Sequence, residues 1–245
     1  FLQWGLKLIL RPLRAIEQTA NAIQAKVFEQ IALRPKAPEL ASVVKAMNQM
    51  SRRVGEMLDA ETARAQALQR EAYQDELTGL ANRRGFELRL AELLHGEFHF
   101  ELGAVLAVEL DDMRTLNRSH GFAAGAAIVQ AVAQSAQTVL GALPSSLLAR
   151  SNEFSFSFVL ADVTPEQVAT LAQALRTLVL DTLADNEAAS HIGIQVGAAF
   201  FSQNDRRSAV FARADLAVET ARQSGHNGFA LLPMQDQLTS SLGSF

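Results

Sequence analysis

The sequence contains no cysteine among its 245 residues. A disulfide framework and a thiolate metal site are therefore excluded, and the absence fits a reducing compartment. The formal net charge is −4, so the chain also lacks the basic excess that usually accompanies nucleic-acid binding. His95, His120 and His191 show no ligand spacing, so we expect no transition-metal site. From the net charge we expect no nucleic-acid partner.

The first ten residues lack an initiator methionine and a cleavage site, so they do not form a signal peptide. They are mostly apolar but too few to cross a bilayer, which needs about 20 residues. Lys7, Arg11 and Arg14 favour the cytoplasmic end of a transmembrane helix at the inner membrane, with the following region in the cytoplasm. The apolar face of a soluble helix is the alternative. We expect residues 1–10 to be the end of a membrane helix.

Two helical patterns follow, separated by a connector. Leu13, Ile16, Ala20 and Ile23 recur at intervals of three and four, and two prolines then exclude a continuous helix. A second apolar series repeats at three and four and predicts a narrow heptad seam that is best buried against a partner chain. Its members are Leu40, Val43, Met47, Met50, Val54 and Met57.

The two helices and their connector resemble a HAMP relay module, with Pro12 and Glu39 where that family has its proline and its glutamate. The resemblance implies a parallel four-helix bundle in a homodimer, over residues 11–57; an unrelated helical hairpin is the alternative. Residues 58–74 continue the helical pattern as a signalling helix. A continuous helix is stiff along its axis, so it can pass a rotation or a shift to the next module.

Residues 75–84 read D-E-L-T-G-L-A-N-R-R and change the pattern. They are very similar to the D-x-L-T-G-L-x-N-R-R opening of the GGDEF family, nucleotide-cyclase-like domains that make cyclic di-GMP from two GTP. The resemblance implies an α+β fold with a central, mostly antiparallel sheet flanked by helices over residues 75–232. Residues 233–245, rich in Ser and Gln, then read as a linker to a downstream domain.

Residues 103–110 form an apolar run that predicts a strand covered on both faces. Acids at the end of such a strand are well placed to hold Mg²⁺. The family pattern here is D-h-D-x-F-K-x-h-N-D-x-x-G-H-x-x-G-D. The chain keeps Asp111, Asn117, Gly121 and Gly125. It departs at four polar positions, which are Glu109, Arg118, Phe122 and Ala126.

Residues 147–160 predict a hairpin, with Phe154, Phe156 and Phe158 on one face as core. The predicted turn is Arg-Ser-Asn-Glu, and it holds one acid and no glycine. Aligned with the family motif, Arg150 and Ser151 replace its glycines and Asn152 its metal-binding acid. Glu153 and Phe154 match its last two letters. Beyond the hairpin, residues 164–167 predict a capping box with proline at the first helical position.

From these replacements we expect a degenerate domain with no catalytic residue. Glu109 and Glu153 are vestigial metal candidates; Mg²⁺ and GTP are expected only if the binding site is retained. The vestigial nucleotide-binding candidates are Arg114, Asn117 and Arg222, which stands for a family lysine. A solvated strand end explains Glu109 equally well, and Arg222 also suits the end of a helix. Arg150 is either a rigid, charged surface residue or the partner of an acid in a neighbouring domain.

The order of modules is most similar to LapD-type receptors, in which an EAL domain follows and binds cyclic di-GMP. It implies a non-catalytic relay and scaffold. The expected partners are a second copy, bound through the HAMP module and signalling helix, a downstream EAL-like domain and another signalling protein. An active diguanylate cyclase with a divergent motif and a GTP-binding regulatory domain without turnover are the alternatives.

Overall fold

The computed structural model describes residues 10, 14–23, 25–33, 35, 37–140 and 146–233. The chain divides into two compact units, Phe1–Gln69 and Arg70–Phe245. The expected membrane-helix end and linker, apart from Leu10 and Pro233, lie outside the described residues, as does Pro12. Within the described part, every helix is too short or too polar to cross a membrane.

The helices and strands are numbered in chain order. The helices are α1 (14–23), α2 (Pro38–Tyr73), α3 (Arg83–His95), α4 (Met113–His120), α5 (Phe122–Leu140), α6 (Pro165–Ala184) and α7 (Arg207–Gln223). The strands are β1 (Ala81–Asn82), β2 (Gly103–Leu110), β3 (Leu147–Asn152), β4 (Ser155–Ala161), β5 (Ile194–Phe201) and β6 (Phe229–Leu232). A short 3₁₀ helix, Glu187–Ala189, precedes β5.

In the N-terminal unit, the connector after α1 is fixed to one face of α2. The side-chain amide of Asn48 accepts from the backbone N–H of Ile31 at 2.7 Å and donates to its carbonyl at 3.1 Å. Gly55 lies under the Phe28 ring, where a Cβ would come within 3.3 Å of the Phe28 side chain. Val44 on the same helix face is buried. One face of α2 is therefore occupied by its own chain.

The C-terminal unit is built on a six-stranded sheet in the order β1-β3-β4-β2-β5-β6. The three inner pairings, β3–β4, β4–β2 and β2–β5, are antiparallel, whereas β1–β3 and β5–β6 are parallel. The predicted α+β fold with a mostly antiparallel sheet is confirmed. Strand β2 lies in the middle, so its end, with Glu109 and the following acids, is placed between the ends of two neighbouring strands.

Both faces of the sheet are buried, which explains the continuous apolar run of β2. Leu106 and Val108 join a cluster with α4, α5 and α6, whereas Val105 joins a second cluster with α3 and α7. Phe156 and Phe158 are buried in the first cluster and Phe154 packs against it. The predicted aromatic stripe is therefore core.

The predicted capping box begins α6. Thr164 Oγ1 accepts from the Gln167 N–H at 3.3 Å, and Gln167 Oε1 accepts from the Thr164 N–H at 2.8 Å. We expect Thr164→Ala to lower the free energy of unfolding by about 1 kcal/mol, because an N-terminal helix donor loses its acceptor. Urea denaturation followed by circular dichroism measures it. Thr170→Ala, within the same helix, is the control and is expected to change stability by less than about 0.5 kcal/mol; equal losses would contradict the capping role.

Candidate functional site

An open cleft of about 540 Å³ lies at the end of β2. It is lined by residues 109–115, by residues 152–155 of the hairpin and by Arg222 near the end of α7. Four of the five predicted metal and nucleotide candidates, Glu109, Arg114, Glu153 and Arg222, are therefore brought to one place, together with Asn152 and Phe154 of the predicted motif. Asn117 is not part of this lining.

The hairpin turn differs from the one that the sequence predicts. Strand β3 continues to Asn152, which pairs with Ser155, so the turn consists of Glu153 and Phe154. The expectation that Arg150, Ser151 and Asn152 form the tip is wrong. Without glycine, these residues keep the negative φ values of extended backbone and remain paired with β4, with a bulge between Arg150 and Asn152.

Arg150 is not among the residues that line the cleft, and it connects the hairpin to the start of the domain. Its Nη1 donates to Asp75 Oδ2 at 2.9 Å, and its Nη2 donates to the Glu153 carbonyl at 2.7 Å. The Arg150 and Asp75 side chains are only 14% and 20% exposed. The other Asp75 oxygen accepts from the N–H and hydroxyl of Thr78 at 2.9 and 2.7 Å. Arg150 is therefore neither a free surface residue nor bound to a neighbouring domain, because its partner is an acid of its own domain.

Arg222 lies beside the acids of β2. Its Nη2 is 2.6 Å from Glu109 Oε2 and 3.6 Å from Asp111 Oδ1, and its Nη1 is 3.2 Å from Glu219 Oε2. The hydrogen bond to Glu109 is the largest cause that raises the pKa of Arg222 above its usual value, and the charges of Glu109 and Asp111 add to it. The guanidinium thus stays charged and is paired with the protein's own carboxylates.

Asp111 is held by a buried glutamine. Gln195, which is 2% exposed, donates from Nε2 to Asp111 Oδ2 at 2.8 Å and accepts from the Gly228 N–H at 3.1 Å. The Asp111 N–H also donates to the Gly193 carbonyl at 2.8 Å. Asp111 is therefore fixed by neighbouring backbone and side chains. Sequence reasoning missed Gln195, although a single polar residue in an otherwise apolar strand was a usable signal.

Asn117 and Arg114 are placed differently from each other. Asn117 Oδ1 is buried without a hydrogen-bond partner and packs on Gly125, where any Cβ would overlap it. Gly125 is thus needed for the close approach of this amide. Arg114 is exposed at the cleft. Of the three nucleotide-binding candidates, Arg114 and Arg222 share the cleft and Asn117 does not.

The acids of the cleft do not fit a magnesium clamp. Mg²⁺ prefers an octahedral shell of oxygens that includes carboxylates. Among the residues that the structure describes, no three His, Asp or Glu side chains are grouped to hold a metal ion. Glu109 is bound to a guanidinium, and Asn152 has no carboxylate at the aligned hairpin position. Sequence reasoning also missed Asp75 as the partner of Arg150.

The fold and the cleft are those of a nucleotide-cyclase-like domain, and comparison with known proteins agrees. The model of the family described as "Diguanylate cyclase, GGDEF domain" matches residues 72–228, and the HAMP domain model matches residues 4–56. The chain therefore belongs to the GGDEF family and carries a HAMP domain before the GGDEF domain.

Relatives and solved structures come from several signalling proteins. The cyclic di-GMP phosphodiesterase PdeB of Shewanella oneidensis is 31% identical over 172 residues, which cover 69% of this chain and 20% of PdeB. The chain thus spans about a fifth of that relative's length. The structure of Vibrio cholerae LapD S helix-GGDEF-EAL bound to c-di-GMP matches with a TM-score of 0.61 at 18% identity, covering 76% of this chain and 44% of that one.

The coiled coil and GGDEF domain of DgcB from Caulobacter crescentus, in complex with c-di-GMP, also matches with a TM-score of 0.61 at 22% identity. It covers 75% of this chain and 99% of the DgcB chain. At such identities the likeness shows the fold alone. The family models identify the chain as a HAMP–GGDEF protein.

Proposed function

We propose that this region is a non-catalytic relay and scaffold in a membrane-anchored, LapD-type cyclic di-GMP receptor. The degenerate GGDEF domain lies on the cytoplasmic side of the inner membrane, after the HAMP module and the signalling helix. It passes a periplasmic or membrane signal to a downstream domain, most simply an EAL-like one, and gives another signalling protein a surface to bind. The order of modules in LapD, S helix-GGDEF-EAL, supports this assignment.

The observation that carries the non-catalytic part of the proposal is the hairpin. Joining two GTP molecules requires close approach of backbone N–H groups to a triphosphate and a metal clamp on its charge. Here β3 pairs with β4 up to Asn152 and Ser155, and the Phe154 carbonyl accepts from the Leu110 N–H at 3.0 Å. Side chains and paired backbone occupy a place where the family motif has glycines.

Helix α2 supports the relay part of the proposal. It runs from Pro38 to Tyr73 without interruption and so includes both the second HAMP helix and the signalling helix. Val43, Met50 and Met57 are 48%, 57% and 63% exposed, and they recur every seven residues. A second copy covers this stripe in the proposed homodimer, and helix motion in the dimer shifts the population of two states.

Incubation of the full 245-residue chain with GTP and Mg²⁺ tests the proposal. We expect no cyclic di-GMP above the background of a heat-denatured sample, because no three acids of the described residues are grouped to hold the metal. A catalytically active diguanylate cyclase under the same conditions is the positive control, and chromatography with a cyclic di-GMP standard is the measurement. Appreciable product would contradict the proposal and favour the active-cyclase alternative.

The second candidate function is GTP binding without turnover. The observation that favours it is the exposed Arg114 at the cleft, which offers a phosphate a guanidinium that forms no ion pair with the acids of the described residues. Calorimetric titration with GTP separates the two functions. A saturating heat of binding in the wild type that is absent in Arg114→Gln would establish GTP binding. If the wild type gives no heat up to millimolar GTP, only the scaffold role remains.

A further inference from the structure

We infer that the guanidinium of Arg222 takes the place of a divalent cation in this cleft and keeps such ions out. The resemblance to the GGDEF family assigns the acids at the end of β2 to metal binding. In this chain Arg222 contacts Glu109 at 2.6 Å and lies 3.6 Å from Asp111. The carboxylates thus already have a cation, and it is covalently part of the protein.

Two departures from the family pattern are joined in this one contact. Glu109 stands for an aspartate and Arg222 for a lysine, and the two lie 113 residues apart in the chain. Glu109 is longer by one methylene, which carries its carboxylate further from the backbone toward α7. Asp at this position would withdraw the oxygen from a contact of 2.6 Å.

The shape of the guanidinium suits this role better than an ammonium does. Nη2 faces Glu109 and Asp111, and Nη1 donates to Glu219 at 3.2 Å. A planar group with several donors can serve three carboxylates at once, whereas a lysine offers a single nitrogen. Gln195 holds the second Asp111 oxygen at 2.8 Å, so neither Asp111 oxygen is left for an ion without displacing a donor.

The exclusion is electrostatic and does not depend on pH in the physiological range. A divalent ion between Glu109 and Asp111 would lie next to a fixed positive charge, and the two would repel each other. An arginine guanidinium keeps its proton throughout this range, so the side chain does not lose its charge to make room. The ion can bind only if the guanidinium leaves its acids.

Binding of Mn²⁺, measured by electron paramagnetic resonance on the full chain, tests the inference. We expect the wild type to show no Mn²⁺ site up to about 1 mM, the weak end of carboxylate sites in proteins. Arg222→Gln is expected to acquire a site at least about tenfold tighter, because two acids are released and one repelling charge is removed. Arg222→Gln/Glu109→Gln is expected to lose this site again.

Arg118→Gln is the matched control. It removes an exposed arginine that donates a hydrogen bond to Thr115, and it is expected to behave as the wild type.

Circular dichroism of each variant checks the fold, and Arg222→Met is measured in parallel as a second neutral variant. A wild type that binds Mn²⁺ and loses it in Glu109→Gln would overturn the inference, as would folded Arg222 variants that bind no better than the wild type. The inference deepens the proposed function, but the two fail separately. Metal binding by the wild type without cyclic di-GMP overturns only the cation substitution, and product formed from GTP overturns the proposed function.

Discussion

Replacing Arg150 with methionine is expected to lower the free energy of unfolding by about 3 kcal/mol, because it leaves a partly buried carboxylate without its counter-charge. The Arg150–Asp75 pair is 2.9 Å long, and its two side chains are only 14% and 20% exposed. The substitution also removes the donors to the Glu153 carbonyl, at 2.7 and 3.3 Å. Methionine keeps the length of the apolar part of the side chain, so the loss reports mainly the charge and its hydrogen bonds. Urea denaturation followed by circular dichroism gives the value.

The matched control is Arg207→Met, which removes an arginine whose side chain is 54% exposed and lies 4.0 Å from Glu87. An exposed pair of this length is expected to contribute less than about 0.5 kcal/mol. Asp75→Asn and the Arg150→Met/Asp75→Asn double variant complete a mutant cycle, and we expect the double loss to be smaller than the sum of the single losses. If Arg150→Met and Arg207→Met cost the same, the pair does not fix the hairpin to the start of the domain.

Sequence reasoning succeeded where the cause of a structure is local. The buried strand β2 follows from an unbroken apolar run, and the start of α6 follows from Thr164 and Gln167, which are three residues apart. Phenylalanine at every second position of β4 predicted that Phe156 and Phe158 share the core. In each of these cases, neighbouring residues alone decide the conformation.

The contacts that define the cleft have no such local cause. Arg150 and Asp75 are 75 residues apart, and Arg222 and Glu109 are 113 residues apart. Sequence reasoning noted both arginines, but it compared each with a motif letter and had no means of pairing them with acids. The pairings require the parallel alignment of β1 with β3 and the packing of α7 beside β2 and β5.

The prediction of the hairpin turn failed for a different reason. The sequence pattern placed the tip on residues 150–153 because this polar run separates two apolar segments. Strand pairing instead depends on φ and on the hydrogen bonds that each residue can make. At the bulge, the Ser151 hydroxyl makes two hydrogen bonds. It donates to the Ser155 carbonyl at 3.3 Å and accepts from the Ser157 hydroxyl at 2.8 Å. The turn of this chain is therefore formed by Glu153 and Phe154.

The largest effect on assembly is expected from lysines in the apolar stripe of α2. Val43, Met50 and Met57 repeat every seven residues, as core positions of a coiled coil do. Connector residues occupy another face of the same helix, where Asn48 and Ser51 bond to the Ile31 backbone and the Glu29 carbonyl. Within the described residues of the chain, the stripe stays exposed, so the proposed second copy is what buries it.

Met50→Lys/Met57→Lys is expected to weaken the homodimer at least about 100-fold, because each seam would bury unpaired ammonium groups from both copies. Sedimentation equilibrium of the full chain measures the dissociation constant, and circular dichroism confirms that the helices remain. Thr62→Lys is the control, since Thr62 is exposed on the same helix about 140° around it from Met57. We expect Thr62→Lys to dimerise as the wild type does. A double variant that dimerises equally well would mean that the stripe is not the surface through which two HAMP modules meet.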